Sequence, residues 1–204
     1  GMDEPYFYRN KTQMPLGLDR KGRLISGFYR AKSHDIIAID KCVIEDKKAS
    51  GILTTIKGLM TSMKILPYNE DTREGIIRHV LIRTSFHYPE VMVVIITNAD
   101  SFPSRGNFVK ALKKAHPEIT TIVQNVNKRD TNVILGNQDN VLFGPGFIKD
   151  DILGVRYRIS AKSFYQVNPL QTEKLYSIAI EKAQLTGDEV VLDAYCGIGT
   201  ISLI

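Results

Sequence analysis

Apolar and polar positions change rhythm several times along this chain, and each rhythm predicts an element. From Glu45 to about Leu66 the apolar residues Ile52, Leu53, Ile56, Leu59, Met60 and Met63 recur at helical spacing. This predicts a long amphipathic helix, weakened at Gly51 and Gly58 and ended by Pro67. Upstream, strands are expected over Tyr6 to Leu16, closed by Pro15 and a turn at Gly17, and over Arg23 to Arg30 after a Lys21-Gly22 turn. Asp35 to Asp40 is a short apolar run that fits a third strand. Downstream, Gly75 to Phe86 and Val91 to Thr97 predict a hairpin around Tyr88-Pro89. Asn107 to His116 reads as a short helix closed by Pro117, and Glu118 to Asn127 as a β-branched strand. Val133 to Leu135, Val141 to Phe143 and Ile152 to Ser160 complete the strand candidates.

The texture changes near Ser160 to Gln166, which reads as a domain boundary. Asn168-Pro169 starts a helix with an apolar stripe of Leu170, Leu175, Ile178, Ala179 and Leu185, ended by Gly187. Glu189 to Ile204 follows: a short apolar strand, Asp193 at its end, a Gly197-Ile198-Gly199 turn and the opening of a helix. Missing side chains at Gly197 and Gly199 let a nucleotide-like ligand approach the backbone, where helix N–H groups point outward. The third glycine of a dinucleotide fingerprint is replaced by Ser202, and Asp193 precedes the glycines. The spacing favours an S-adenosylmethionine type of turn, with another nucleotide or a purely structural turn left open. Cys196 reads as a small packed residue, since no histidine or other base lies near it in sequence. The strand at Val190 to Asp193 has no parallel neighbours in the chain, so pairing with the preceding domain or with a second copy is expected.

The chain of 204 residues suits one domain, or one domain plus part of another. No apolar run approaches the roughly 18 residues of a membrane span, and no charged-then-apolar leader opens it. Its two cysteines lie far apart and make no disulfide framework, so a cytoplasmic protein is expected. Net charge is +5. Arg9, Lys11, Arg20, Lys21, Arg23, Arg30 and Lys32 cluster with only Asp19 opposing them. That pattern permits nucleic-acid binding and equally permits a solvated sheet face.

Several segments together resemble the RNA uracil-5-methyltransferase family, most closely its Gram-positive 23S rRNA members. They are Tyr-Arg-Asn-Lys (8–11), Ser-His-Asp-Ile-Ile-Ala-Ile-Asp-Lys-Cys (33–42), Thr-Asn-Val-Ile-Leu-Gly (131–136), Ser-Phe-Tyr-Gln-Val-Asn-Pro (163–169), Leu-Thr-Gly (185–187) and Val-Leu-Asp-Ala-Tyr-Cys-Gly-Ile-Gly-Thr (191–200). The resemblance implies a fold: an α+β central, RNA-binding domain over 1–162, then the first elements of a Rossmann-like (class I) S-adenosylmethionine-dependent methyltransferase domain over 163–204. It implies that an N-terminal barrel and most of the catalytic domain are absent from this stretch.

The resemblance also implies roles. Gln166, Tyr195 and Thr200 fall at positions that contact S-adenosylmethionine, and Asp193, Gly197 and Gly199 shape the turn. Cys42 resembles the fourth ligand of a 4Fe-4S cluster whose other three cysteines would precede residue 1, so no stable cluster is expected here. A cysteine nucleophile adding to uracil C6, and a base removing the C5 proton, match nothing in the chain, so it carries no catalytic residue and is expected to be inactive alone. Phe164 is a stacking wall for a flipped uridine or a core phenylalanine at a strand end. Arg9, Lys11, Arg30, Lys32 and His34 are the expected contacts to ribosomal RNA. Two other readings stand beside this one: an RNA-binding module without catalysis, and a small-molecule methyltransferase using the same turn.

Overall fold

A computed structural model describes residues 1–204. Its centre is a seven-stranded mixed sheet formed by β1 (Lys11–Leu18), β2 (Leu24–Tyr29), β3 (Ile36–Ala38), β4 (Ile77–Thr84), β5 (Val91–Thr97), β6 (Ile119–Val126) and β7 (Gln138–Phe143). The spatial order is β3-β2-β1-β4-β5-β6-β7, and only β5 and β6 run parallel. A parallel pair needs a crossover, supplied here by the helix α2 (Arg105–Ala115). The helix α1 (Lys47–Ser62) packs beside α2 on the same face of the sheet. The other face is covered by a hairpin of β8 (Phe147–Ile152) and β9 (Val155–Ser160), and by the first turns of α3 (Pro169–Ala183).

Alternation along the strands builds both cores. Val80, Ile82, Val93, Ile95 and Ile122 meet Ile52, Ile56, Met60, Phe108 and Leu112 on the helical side. Leu81, Met92, Val94, Ile96 and Val123 meet Ile148, Ile152, Ile159, Tyr165 and Tyr176 on the other. β4, β5 and β6 are therefore buried on both faces; β5 accordingly reads as a nearly continuous apolar run, while β4 and β6 also bury Arg78, His79, Arg83, Gln124 and Asn125.

Several boundaries differ from the sequence reading. Pro15 does not close β1 but lies inside it, where the strand changes neighbours: Lys11 to Pro15 pair with β4, and Leu16 to Leu18 pair with β2. A residue without an N–H is tolerated at such a switch. α1 ends before Pro67. Lys64 adopts a left-handed conformation (φ 55°), and the Ile65 N–H donates to the Met60 carbonyl at 2.8 Å, a Schellman closure. Val133 to Leu135 form a loop rather than a strand. That loop is pinned at Gly136, whose N–H donates to Asn125 Oδ1 at 2.7 Å and whose carbonyl accepts from Asn125 Nδ2 at 3.1 Å. A Cβ on Gly136 would stand 1.8 Å from the Val126 carbonyl oxygen. Gly136→Ala is therefore expected to lower the stability by about 2 kcal/mol, in the range of overpacked sites, and a thermal melt against wild type measures it.

The hairpin strand β8 was not expected because Lys149, Asp150 and Asp151 interrupt its apolar pattern. Asp150 points inward and is fully buried. Its carboxylate accepts from the Phe86 and His87 N–H groups and contacts His87 Nδ1, each at 3.0 Å, which ties the β4–β5 connection to the hairpin. The turn between β8 and β9 places Leu153 and Gly154 both at positive φ, as a two-residue hairpin with right-handed strand twist requires.

The end of the chain departs most from expectation. α3 starts as predicted: Asn168 Oδ1 accepts from the Gln171 N–H at 3.2 Å, and Pro169 opens the helix. However, α3 buries Pro169, Thr172 and Tyr176, while Leu170, Leu175 and Ile178 of the predicted stripe are exposed. It ends at Gln184 in the left-handed region, ahead of Gly187. Val190 to Asp193 forms no strand and pairs with no element of the sheet. An extended segment without a neighbour has no ladder to stabilise it. The expected helix opening is one turn, closed by the Leu203 N–H donating to the Gly199 carbonyl at 3.2 Å. No helix of the structure is long and apolar enough to cross a membrane.

Candidate functional site

The glycine turn is held from beneath by two tyrosines. Tyr176 Oη lies 3.2 Å from Thr200 Oγ1, and Tyr157 Oη donates to the Gly199 carbonyl at 3.5 Å. Ile198 and Ile204 pack against the same core. Gly197 (φ 57°) borders open space, whereas a Cβ on Gly199 (φ 79°) would meet Leu203 Cδ1 at 2.9 Å. Asp193 Oδ1 accepts from the Tyr195 N–H at 3.3 Å, and its Oδ2 is buried without a partner. Tyr195 and Cys196 are exposed, while Thr200 is buried with its hydroxyl turned to Tyr176. An unpaired carboxylate oxygen beside an open glycine fits a ligand that brings hydroxyl donors, as S-adenosylmethionine does.

Gln166 approaches from another direction. Its carbonyl accepts from Asn10 Nδ2 and the Val167 carbonyl from the Asn10 N–H, both at 3.0 Å, so this segment is strapped to the entry of β1. The Gln166 side chain is half-buried and makes no hydrogen bond to the turn. Phe164 is 69% exposed, which excludes the core alternative for it. Sequence reasoning missed the residue that places it. Arg83 of β4 is buried and donates to the Ala161 and Ser163 carbonyls at 3.3 and 2.6 Å. Burial pulls its pKa down to about 10. Its signal was a charged residue directly after the apolar stretch Val80 to Ile82 of the strand.

The basic residues divide into two groups. Arg9 and Lys11 lie half-buried at the start of β1, and Lys11 is opposite Arg83 in the ladder. Burial lowers the Lys11 pKa, and the charges of Arg83 and Arg9 lower it further. Arg30, Lys32 and His34 sit in the β2–β3 connection and line a cavity of about 920 Å³. His34 Nδ1 pairs with Asp71 Oδ1 at 2.8 Å, while Arg30 and Lys32 are exposed and without ion pairs. Cys42 is a half-buried free thiol, and no group of three or more His, Cys, Asp or Glu side chains is placed to share a metal ion. Residues 1–204 therefore do not by themselves fit a 4Fe-4S cluster, which takes four thiolates.

A Staphylococcus epidermidis protein named as an uncharacterized RNA methyltransferase is 47% identical over 203 residues, spanning 100% of this chain and 44% of that protein. A Staphylococcus aureus protein of the same description is 43% identical over 203 residues, spanning 100% of the chain and 45% of its relative. The chain is thus similar to proteins named as RNA methyltransferases. It spans less than half the length of the curated relatives it matches. Among solved structures, a Pyrococcus abyssi tRNA (uracil-54, C5)-methyltransferase in complex with S-adenosyl-L-homocysteine matches with a TM-score of 0.79. That match covers 98% of this chain and 46% of the other at 26% identity. No protein-family model matches the chain.

Proposed function

We propose that residues 1–162 form the central, RNA-binding domain of an S-adenosylmethionine-dependent methyltransferase, and that 163–204 begin its cofactor domain. The reaction is methylation of uridine C5, with 23S ribosomal RNA as substrate, in the cytoplasm. The observation that carries this reading is the likeness, over 98% of the chain, to a uracil C5 tRNA methyltransferase holding S-adenosyl-L-homocysteine. It is supported by the glycine turn and its orphan carboxylate oxygen at Asp193.

When bound, S-adenosylmethionine supplies an activated methyl group. Asp193 Oδ2 offers it an acceptor, Gly197 leaves room for it, and Tyr195 and Gln166 bring uncommitted side chains. Thr200, the remaining expected contact, acts by fastening the turn to Tyr176. Phe164, presented by the Arg83 clamp, stacks on the extruded uracil. Arg9, Lys11, Arg30, Lys32 and His34 face the RNA, the lysines and arginines at its phosphates. Cys42 becomes the fourth thiolate of a cluster in the longer protein. On this reading the nucleophile and base lie outside residues 1–204, and Cys196, whose Sγ donates to the Gly197 carbonyl at 3.8 Å, takes no part in catalysis. Exposed Val190, Leu192 and Tyr195 offer a surface for self-association.

The test is transfer of tritiated methyl from S-adenosylmethionine to 23S ribosomal RNA, with the product mapped as 5-methyluridine. The full-length protein is expected to turn over, and the 204-residue chain to give the blank rate. A full-length protein that leaves uridine unmodified overturns the reading. Salt-dependent RNA binding without any cofactor binding would favour a non-catalytic RNA-binding module, for which the basic first third of the chain is the specific observation.

A further inference from the structure

Two segments, one of them carrying Arg30, Lys32 and His34, face each other across one cavity. Phe28 to Asp35, which contains Ser33-His34-Asp35, forms one wall, and Thr131 to Ile134 forms the other. The floor is His79 of β4 with Pro15 and Gln13 of β1. The volume of about 920 Å³ falls in the range of roughly 300–1,000 Å³ usual for ligand clefts.

The cavity is built from rigid parts. Arg78 Nη1 donates to the Asn127 and Arg129 carbonyls at 3.0 and 2.9 Å, and its other nitrogens grip Glu70 with contacts from 2.7 to 3.0 Å. Asn127 Nδ2 donates to the Val133 and Ile134 carbonyls at 2.6 and 3.0 Å, which fixes the far wall. A preformed wall lowers the ordering cost of binding.

Charge and polarity select the occupant. Glu70 is paired with the Arg78 guanidinium inside the wall, and Asp71 hydrogen-bonds His34 while its side chain stays 75% exposed. Asp35 is the third acidic side chain in the lining, and its N–H is held by Ser33 Oγ at 3.2 Å. The free positive charge is Arg30 and Lys32. Inside, His79 is only 4% exposed, and its Nδ1 has no hydrogen-bond partner. A buried polar ring left unpaired calls for a ligand edge or water. Tyr29 stands edge-on to both His79 and His34, with centroids 6.1 and 5.8 Å apart, and contributes an aromatic surface. A flat heteroaromatic ring carrying hydrogen-bonding groups, attached to an anion, matches this set better than an anion alone.

The geometry points to a subsite for one unpaired RNA nucleotide: its base enters the cavity beside Tyr29, its edge meets the His79 imidazole, and its phosphate rests at Arg30 and Lys32. The subsite is separate from the glycine turn. It rests on the RNA reading above and adds where a second nucleotide of the substrate, other than the methylated one, is read.

The test uses the 204-residue chain and a short single-stranded oligonucleotide containing 4-thiouridine. Affinity is measured by fluorescence anisotropy, and photocross-links are mapped by mass spectrometry. Tyr29→Ala is expected to weaken binding about tenfold, the low end of what one stacked base contributes. Asn132→Trp, at an exposed position on the rim, fills the cavity without disturbing a core and is expected to weaken binding to the same degree. Lys110→Gln on exposed α2 surface serves as the control and keeps wild-type affinity to within about twofold. Cross-links are expected in Phe28 to His34 or Thr131 to Ile134. Unchanged affinity in Asn132→Trp, or cross-links only at Phe164 and the start of β1, would overturn the subsite and leave the RNA reading standing. Absence of salt-dependent RNA binding by the wild-type chain would overturn both.

Discussion

Arg78→Ala is expected to cost about 3–5 kcal/mol, because it breaks a buried ion pair by removing one partner. The guanidinium is 3% exposed and the Glu70 carboxylate 15%. The pair is bidentate, and the same guanidinium caps two backbone carbonyls from the segment after β6. Truncation leaves the Glu70 charge and both carbonyls without donors, and removes the cation stacked over Tyr68 at 4.9 Å. With a denaturation slope of about 2 kcal/mol/M, the urea midpoint falls by about 2 M. The double variant Arg78→Met with Glu70→Gln is expected to cost less than the sum of the single changes, since no lone charge then remains buried. A single variant within about 0.5 kcal/mol of wild type would show that water reaches this clamp and that loop 131–134 is held by Asn127 alone.

The same strand shows what was legible in the sequence. β5 announced itself because both faces are covered and its run is almost wholly apolar, whereas β4 and β6 were legible from their aliphatic and β-branched residues despite buried polar ones. α1 was legible from its stripe, and Asp46 caps it by accepting from the Lys48 N–H at 2.8 Å. What was not legible are polar side chains whose partners lie far away along the chain. Arg83 and Asp150 find their partners about 60 to 80 residues away, and Arg78 adds to nearby Glu70 two carbonyls about 50 residues distant, pairings that no local pattern encodes. Asp150 even masked the strand that carries it.

α3 erred in the opposite direction: its apolar stripe is real, but the neighbours within residues 1–204 meet Thr172 and Tyr176 instead. The glycine turn was plain in the sequence, with Gly197 and Gly199 both at positive φ. Its anchorage was not, since Tyr157 and Tyr176 read only as aromatic positions in a strand and a helix.

His79 gives the chain a specific response to acid. Burial, and secondarily the positive charge of Arg78, pull its pKa down from 6.5 to about 4. The ring is therefore neutral in the folded state at pH 7. Between those two values the unfolded chain binds the proton more readily than the folded one, so stability rises with pH across this window. The contribution is fully present above about pH 6.5, is lost as pH falls, and levels off below about pH 4. Integrated over the shift it amounts to roughly 3 kcal/mol. Carboxylates elsewhere also titrate on acidification, so the informative quantity is the difference between wild type and His79→Gln. Measured by urea denaturation at about pH 7.5 and pH 4, that difference is expected to move by roughly 3 kcal/mol in favour of the variant at the lower pH. Parallel stability curves for the two proteins would mean that the imidazole accepts a proton in place, through water or Glu70. The cavity floor would then be a cationic surface suited to phosphate, and the base-reading role assigned to His79 would have to be withdrawn.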